Sequence, residues 1–212
     1  MFVSILMAGL YAVATLGAFL FLDRDVTEFF YHIKNSDFVY MMKYVTRLGE
    51  ATLYLAVALV IYLVHRKSET GYAQKALFFM ATILVSGIFV NVVKGIIGRF
   101  RPIEWLKNES YGFDNFSFLE YTANSFPSGH ATTAFAIGVS LMFLFPKYRA
   151  VFLLFAVTVA LSRVVLYQHY LSDVMAGAVV GSVTAYVLYQ KMVRKHIFIQ
   201  KGTVAFGSLK TL

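Results

Sequence analysis

Apolar positions in this 212-residue chain gather into six runs separated by short polar stretches. A helix needs roughly 17–25 consecutive apolar residues to cross a hydrocarbon core, and each run approaches that length. They are Val3 to Leu22, Leu48 to Val64, Ala76 to Gly98, Ala131 to Phe145, Ala150 to Tyr167 and Val174 to Gln190. The second is broken only by Glu50, the third carries Lys94 near its end, and the fourth is short unless its helix starts nearer Ser128. Between the first two runs the pattern changes. Val26, Phe29, Phe30, Ile33, Phe38, Met41, Met42, Val45 and Leu48 recur at helical spacing with charges between them. This predicts an amphipathic helix over residues 24–47 lying in the membrane interface, serving either as a gate or simply as a link between spans.

Composition supports the same class. The chain is 59% hydrophobic and 14% charged, with a mean hydropathy of +0.68, well beyond a soluble domain. The expected architecture is an all-α, six-transmembrane-helix integral membrane protein. No repeat, low-complexity segment or linker divides it, so residues 1–212 are expected to form a single domain. Cysteine is absent, which excludes disulfides and thiolate metal sites. No basic residue precedes the first run and no small-x-small cleavage site follows it before Asp23, so that run is expected to stay as a span.

The net charge of +8 falls unevenly on the two sides of the six-span layout. Arg66, Lys67, Lys75, Lys147, Arg149, Lys191, Arg194, Lys195, Lys201 and Lys210 face only Glu69 on one side, whereas the other side holds nine bases and ten acids. Basic loops stay in the cytoplasm. Both termini, including the tail 191–212, are therefore expected there, in a cell membrane, and a nucleic-acid partner is not expected.

Three polar clusters then fall on the extracytoplasmic face. In KGIIGRFRP, Lys94 and Arg101 would lie two turns apart on one face, about 10 Å along the axis, if the helix persists to Pro102. They either snorkel to headgroups or converge on one anion. In SFPSGH, Ser128 and Gly129 precede an apolar helix whose free N–H groups attract anions, with His130 facing them; an ordinary helix cap would look the same. In SRVVLYQHYLSD, His169 and Asp173 are four apart, and Arg163 ends the preceding span. The carboxylate can orient the imidazole as a nucleophile or base, or the pair can be a structural cap. Taken together, the clusters offer cations, backbone donors and two histidines, a phosphoryl-transfer inventory without a carboxylate cage for a metal.

Lys94 with six residues to Arg101-Pro102, then Pro127-Ser128-Gly129-His130, then Ser162-Arg163 with five residues to His169 and three more to Asp173, resembles the complete signature of the type 2 phosphatidic acid phosphatase superfamily. The signature region is 94–173. The resemblance implies that His169 attacks phosphorus to form a phosphohistidine, with Asp173 orienting it, and that His130 protonates the leaving oxygen. It further implies that Lys94, Arg101, Ser128, Gly129 and Arg163 bind the phosphate, and that no metal or other cofactor is needed. Soluble vanadium-dependent haloperoxidases share the signature, and the spans separate this chain from them. The expected partner is a lipid phosphate in the bilayer, such as phosphatidylglycerol phosphate, undecaprenyl diphosphate, phosphatidic acid or lipid A. A lipid-to-lipid phosphotransferase and a non-enzymatic lipid-binding or transport protein are the alternatives. The loop 103–126 is rich in aromatics, which fit interfacial anchoring and acyl-chain recognition equally.

Overall fold

The computed structural model describes residues 2–118 and 120–194. Helix α1 (Phe2–Gly17) passes through a π-helical turn, Ala18–Leu22, into α2 (Asp23–His32). After a polar turn, α3 (Asp37–Val45) leads through a 3-10 turn, Thr46–Gly49, to α4 (Ala51–His65). Then follow α5 (Tyr72–Ile97), the short α6 (Pro102–Asn108), α7 (Gly129–Leu144), α8 (Arg149–Val165) and α9 (Leu171–Arg194). The only β pairing among the described residues is an isolated bridge between Arg99 and Phe113. Five helical stretches, Leu6–His32, Asp37–His65, Tyr72–Ile97, Pro146–Val165 and Leu171–Val193, are long and apolar enough to cross a membrane, and α7 is a shorter apolar helix. The chain is an all-α, multi-pass membrane protein.

Helix α7 occupies the centre, packed against α5, α8 and α9. It has 16 residues, about 24 Å at 1.5 Å per residue, and begins directly after the extended cap residue Ser128. Its buried positions are mostly small: Ala131, Thr132, Ala134, Ala136, Gly138 and Ser140 surround Ile137. Helices in lipid gain little from the hydrophobic effect and associate through close packing, which small residues permit. Gly177 and Gly181, one turn apart on α9, face α7. A Cβ on Gly177 would stand 2.5 Å from the Ser128 carbonyl oxygen, and one on Gly181 would collide with the Thr132 carbonyl. The outer helices present large apolar side chains outward, such as Leu53, Val64, Ile88 and Leu154, as a lipid-facing surface should.

Three features depart from the pattern in the sequence. The first span does not stop at Leu22, because Asp23 is buried against Arg99 instead of meeting water, and the helix continues to His32. Residues 24–47 are helical as expected but form two helices, since Ser36 caps α3 by accepting from the Val39 N–H at 3.4 Å. Part of their apolar face packs on protein, with Val39 and Met42 against Val165 and Leu166 at the end of α8. The third departure, at the end of α5, shapes the site. Of the expected tail, α9 includes residues 191–194, and Lys195 to Leu212 lie outside the described residues.

The α7–α9 contact yields a stability test. Gly181→Ala should destabilise the protein by about 1–3 kcal/mol, the usual cost of overpacking a site bounded by backbone. Gly87→Ala on α5, where nothing lies within 4 Å of the added Cβ, should be neutral or slightly stabilising through helix propensity. Thermal unfolding of the two variants in one detergent compares them directly, and equal midpoints would contradict the packing account.

Candidate active site

Helix α5 ends at Ile97, where Gly98 adopts φ 60° and its N–H bonds back to the Lys94 carbonyl. A Cβ there would collide with the Asp114 carbonyl, so the termination requires glycine. Lys94 and Arg101 are therefore not on one continuous helix, contrary to the sequence expectation, and Pro102 opens α6 at its first position. The intervening segment is pinned to the long loop instead. Phe100 N–H donates to Gly112 at 3.1 Å, Arg101 N–H to Thr122 at 2.8 Å, and Ser125 N–H to the Arg99 carbonyl at 2.9 Å. The two cations still converge. Lys94 Nζ donates to the Asn124 carbonyl at 2.7 Å and Arg101 donates to the same oxygen at 3.3 Å. Arg101 also reaches the Tyr121 and Gln168 carbonyls, and its guanidinium sits 3.8 Å from the Tyr121 ring centroid.

Ser128 caps α7, and its own N–H donates to the Asp173 carbonyl at 3.0 Å, tying the start of α7 to the start of α9. The first N–H groups of a helix lack intrahelical acceptors, so those of Gly129 and His130 face the site. Lys94 Cε would lie 3.7 Å from a Cβ on Gly129, which places the lysine across the helix N-terminus. His130 is half-buried, with Cδ2 3.0 Å from where a Gly49 Cβ would stand. Arg163, at the end of α8, donates to Thr46 Oγ1 at 2.7 Å. Its buried Nε finds no partner among the described residues, the kind of donor that a bound oxyanion would satisfy.

His169 lies in the turn before α9, not on the helix that carries Asp173. Its Nδ1 stands 3.8 Å from Asp173 Oδ2, too long for the direct hydrogen bond the i,i+4 spacing suggested. Ser125 fills the gap, donating to Asp173 Oδ2 at 2.6 Å while its oxygen lies 3.4 Å from His169 Nδ1. With its single proton committed to the carboxylate, Ser125 offers a lone pair to the imidazole. That favours the Nδ1–H tautomer and leaves the Nε2 lone pair free. Burial, reinforced by the charges of Lys94, Arg101, Arg163 and His130, holds the His169 pKa well below the usual imidazole range. The ring is neutral at pH 7.

The eight residues expected from the sequence thus come together: Lys94, Arg101, Ser128, Gly129, His130, Arg163, His169 and Asp173. Others come with them that the sequence reading missed. Ser125 and Arg99 stood inside two of the quoted clusters, but nothing in their spacing set them apart from an ordinary serine and an extra base. Ser172 likewise stood inside the third cluster as one more serine, and Thr46 and Asp23 carried no signal at all. Asp173 Oδ1 accepts from Arg99 at 2.5 Å, and Arg99 reaches Asp23 Oδ2 at 2.8 Å. Burial opposes the charge of Arg99, but Asp173 and Asp23 outweigh it and raise its pKa above the ordinary arginine value. A cavity of about 730 Å³, lined by Tyr11, Phe19 and Val179 among others, lies against Arg99 and Ser172 and includes none of the eight residues.

The PAP2 superfamily model matches residues 75–197. The chain is 38% identical over 108 residues to lipid A 1-phosphatase of Rhizobium etli, covering 49% of this chain and 44% of that protein, so it spans less than half of that relative's length. It is 30% identical over 145 residues to the bacitracin transport permease protein BcrC of Bacillus licheniformis, covering 67% of each. The crystal structure of the PAP2-type phosphatidylglycerolphosphate phosphatase of Bacillus subtilis superposes with a TM-score of 0.59 at 19% identity, over 92% of this chain and 98% of that one. That likeness concerns the fold, and its extent takes in the helices on both sides of the signature. By the matched family model and the shared helical frame, the chain belongs to the PAP2 superfamily.

Proposed function

We propose that this chain is a single-domain membrane lipid phosphatase that releases phosphate from a lipid phosphate monoester or diphosphate through a phosphohistidine. The observation that carries this reading is a buried imidazole close to the charges of Lys94, Arg101 and Arg163, with Ser125 beside its Nδ1 and its Nε2 left for substrate; burial and those cations push its pKa down. A lipid that keeps its phosphate at headgroup level and its tail in the bilayer matches a site built from the ends of membrane helices. The names of the relatives, two of them phosphatases, support the same class.

In the proposed first step, the His169 Nε2 lone pair attacks phosphorus and the bond from phosphorus to the lipid oxygen breaks. His130, protonated when the anionic phosphate binds beside it, gives that proton to the departing oxygen and is left neutral. Lys94, Arg101, Arg163, the Ser128 hydroxyl and the N–H groups at Gly129 balance the charge on the phosphoryl oxygens, electrostatic stabilisation that a positioned site delivers without reorganising. The phosphorylated imidazole keeps its Nδ1 proton and is positive, and Asp173 compensates it through Ser125. In the second step, water attacks phosphorus, its proton passes to His130, the P–N bond breaks and inorganic phosphate leaves. In this reading the site faces the extracytoplasmic side and both termini the cytoplasm.

Replacing the proposed nucleophile is the direct test. Purified His169→Ala should fold and yet release no phosphate from a panel of lipid phosphates, since no neighbouring group can form the covalent intermediate. Acid-labile, base-stable phosphate should be trapped on the wild type and absent from the variant. Turnover by His169→Ala near the wild-type rate would exclude the mechanism.

His130 should show its role through the leaving group. General acid assistance is worth about 10²–10⁴ in rate, and an acidic phenol needs little of it. His130→Ala should therefore lose far more activity on a lipid monophosphate than on an aryl phosphate with an acidic phenol. Equal losses, with chemistry rate-limiting, would reduce His130 to holding phosphate.

Orientation can be tested on the cysteine-free background. A cysteine at Asn108 should react with an impermeant thiol reagent in intact cells, and one at Ser68 should not. The reverse pattern would place the site in the cytoplasm.

A further inference from the structure

Asp23 lies outside the three signature motifs and outside the region matched by the family model, yet it is among the most deeply buried polar residues, 1% exposed. The π-helical turn Ala18–Leu22 delivers it to the site's rear. Its two oxygens accept from the Ser172 N–H at 2.9 Å, the Ser172 hydroxyl and Arg99. Arg99 is equally buried at 1% and divides its guanidinium between Asp23 and Asp173 Oδ1. The rings of Phe19, Tyr111 and Tyr170 enclose it, with centroids 4.8, 5.6 and 4.2 Å from Cζ. None of this touches the phosphate pocket. What it touches is the one carboxylate that faces His169.

We propose that Asp23 and Arg99 are positioning residues for phosphoryl transfer: Arg99 fixes one oxygen of Asp173, and Asp23 takes up part of the charge of Arg99 so that Asp173 is held without being neutralised. The inference rests on the phosphohistidine reading above. Two carboxylates sharing one guanidinium leave a net charge of −1 behind the imidazole. Were Arg99 paired with Asp173 alone, the pair would be neutral, and the positive phosphoimidazole would lose its counter-charge. Ser172 completes the device, accepting from Arg99 at 2.8 Å while donating to Asp23, which keeps both acids in register on the same guanidinium. With Oδ1 fixed, Oδ2 is turned towards Ser125 and the Tyr170 N–H.

The test is Asp23→Asn in purified, detergent-solubilised protein, read by kinetics and by ¹⁵N-histidine NMR, with the His169 signal assigned by its loss in His169→Gln. Loss of an orienting partner one shell out typically costs about 10–100-fold in activity. We expect kcat per folded enzyme to fall by that factor, while the inhibition constant of inorganic phosphate stays within about threefold, because the phosphate ligands are untouched. In the NMR spectrum the wild-type His169 should be the Nδ1–H tautomer, and Asp23→Asn should admit the Nε2–H form as the field of Asp173 weakens. If kcat per folded enzyme and the tautomer are unchanged and only thermal stability falls, Asp23 is a structural strut and the proposal is wrong. Weakened phosphate inhibition in step with kcat would mean collapse of the pocket and would also overturn it. Should Asp23→Asn fail to fold, Ser172→Ala keeps every charge and is judged by the same measurements, with wild-type kcat and tautomer refuting the proposal. A wild type that releases no phosphate from any lipid would instead refute the function, and the tautomer comparison would still decide the positioning claim.

Discussion

A guanidinium buried to 1% exposure between two carboxylates is a demanding object to build into a membrane protein. Removing one partner of such a group strands a charge, at a cost of about 3–5 kcal/mol, so the elements bearing the three residues cannot drift apart. Asp23 comes from the start of α2, Arg99 from the segment after α5 and Asp173 from the first turn of α9. The ion triad thus fastens three elements that are distant in sequence at a single point. The aromatic cage around Arg99 and the Ser172 bridge satisfy much of what remains of its donors. Through Asp173, which also takes the Ser125 hydroxyl and the Tyr170 N–H, the same point sets the position of His169.

On the other side of His169 the balance of charge reverses. Lys94, Arg101 and Arg163 gather with no acid among them except Asp173, and their heads are parked on carbonyls of Asn124, Tyr121 and Gln168 and on the Thr46 hydroxyl. Neutral acceptors hold these cations in place without cancelling their charge, which leaves the pocket electropositive for a phosphate. Burial first, and the same field second, push the His169 pKa down, which favours the unprotonated imidazole that the proposed nucleophilic role requires. The proposed nucleophile and the proposed anion pocket would thus come from one arrangement: positive charge in front of His169, negative charge behind it, and a serine between.

The six apolar runs and the eight residues that gather at the candidate site were legible because each has a local signature: a length set by the bilayer, or a spacing set by the motifs. What the sequence concealed depends on distant partners. Asp23 looked like the point where a span meets water, and only Arg99, 76 residues away, makes it an interior residue. The spacing of Lys94 and Arg101 suggested one helical face, but Gly98 ends the helix and the loop from Gly112 to Ser125 rebuilds the proximity by backbone pairing. Residues 24–47 had the right periodicity, yet the turn before Ser36 and the end of α8 decided how that apolar face is used. His169 and Asp173 had the right separation for a direct contact, and the helix starting at Leu171 placed Ser125 between them.

Precision at the site traces back to the close approach of α7 and α9. Ser128 and Asp173 begin these two helices and are joined by a backbone hydrogen bond, and Gly177 lets the α9 backbone lie directly against the Ser128 carbonyl. The start of α7, where phosphate is proposed to bind, and the start of α9, which carries Asp173, are therefore set by the same contact. A bulky residue on this seam would move Ser128 and Gly129 away from Asp173 and His169, whereas one on a lipid-facing position would leave their spacing alone. Small residues in the middle of the bundle, though they carry no chemistry, fix the distance across which the proposed phosphoryl transfer takes place.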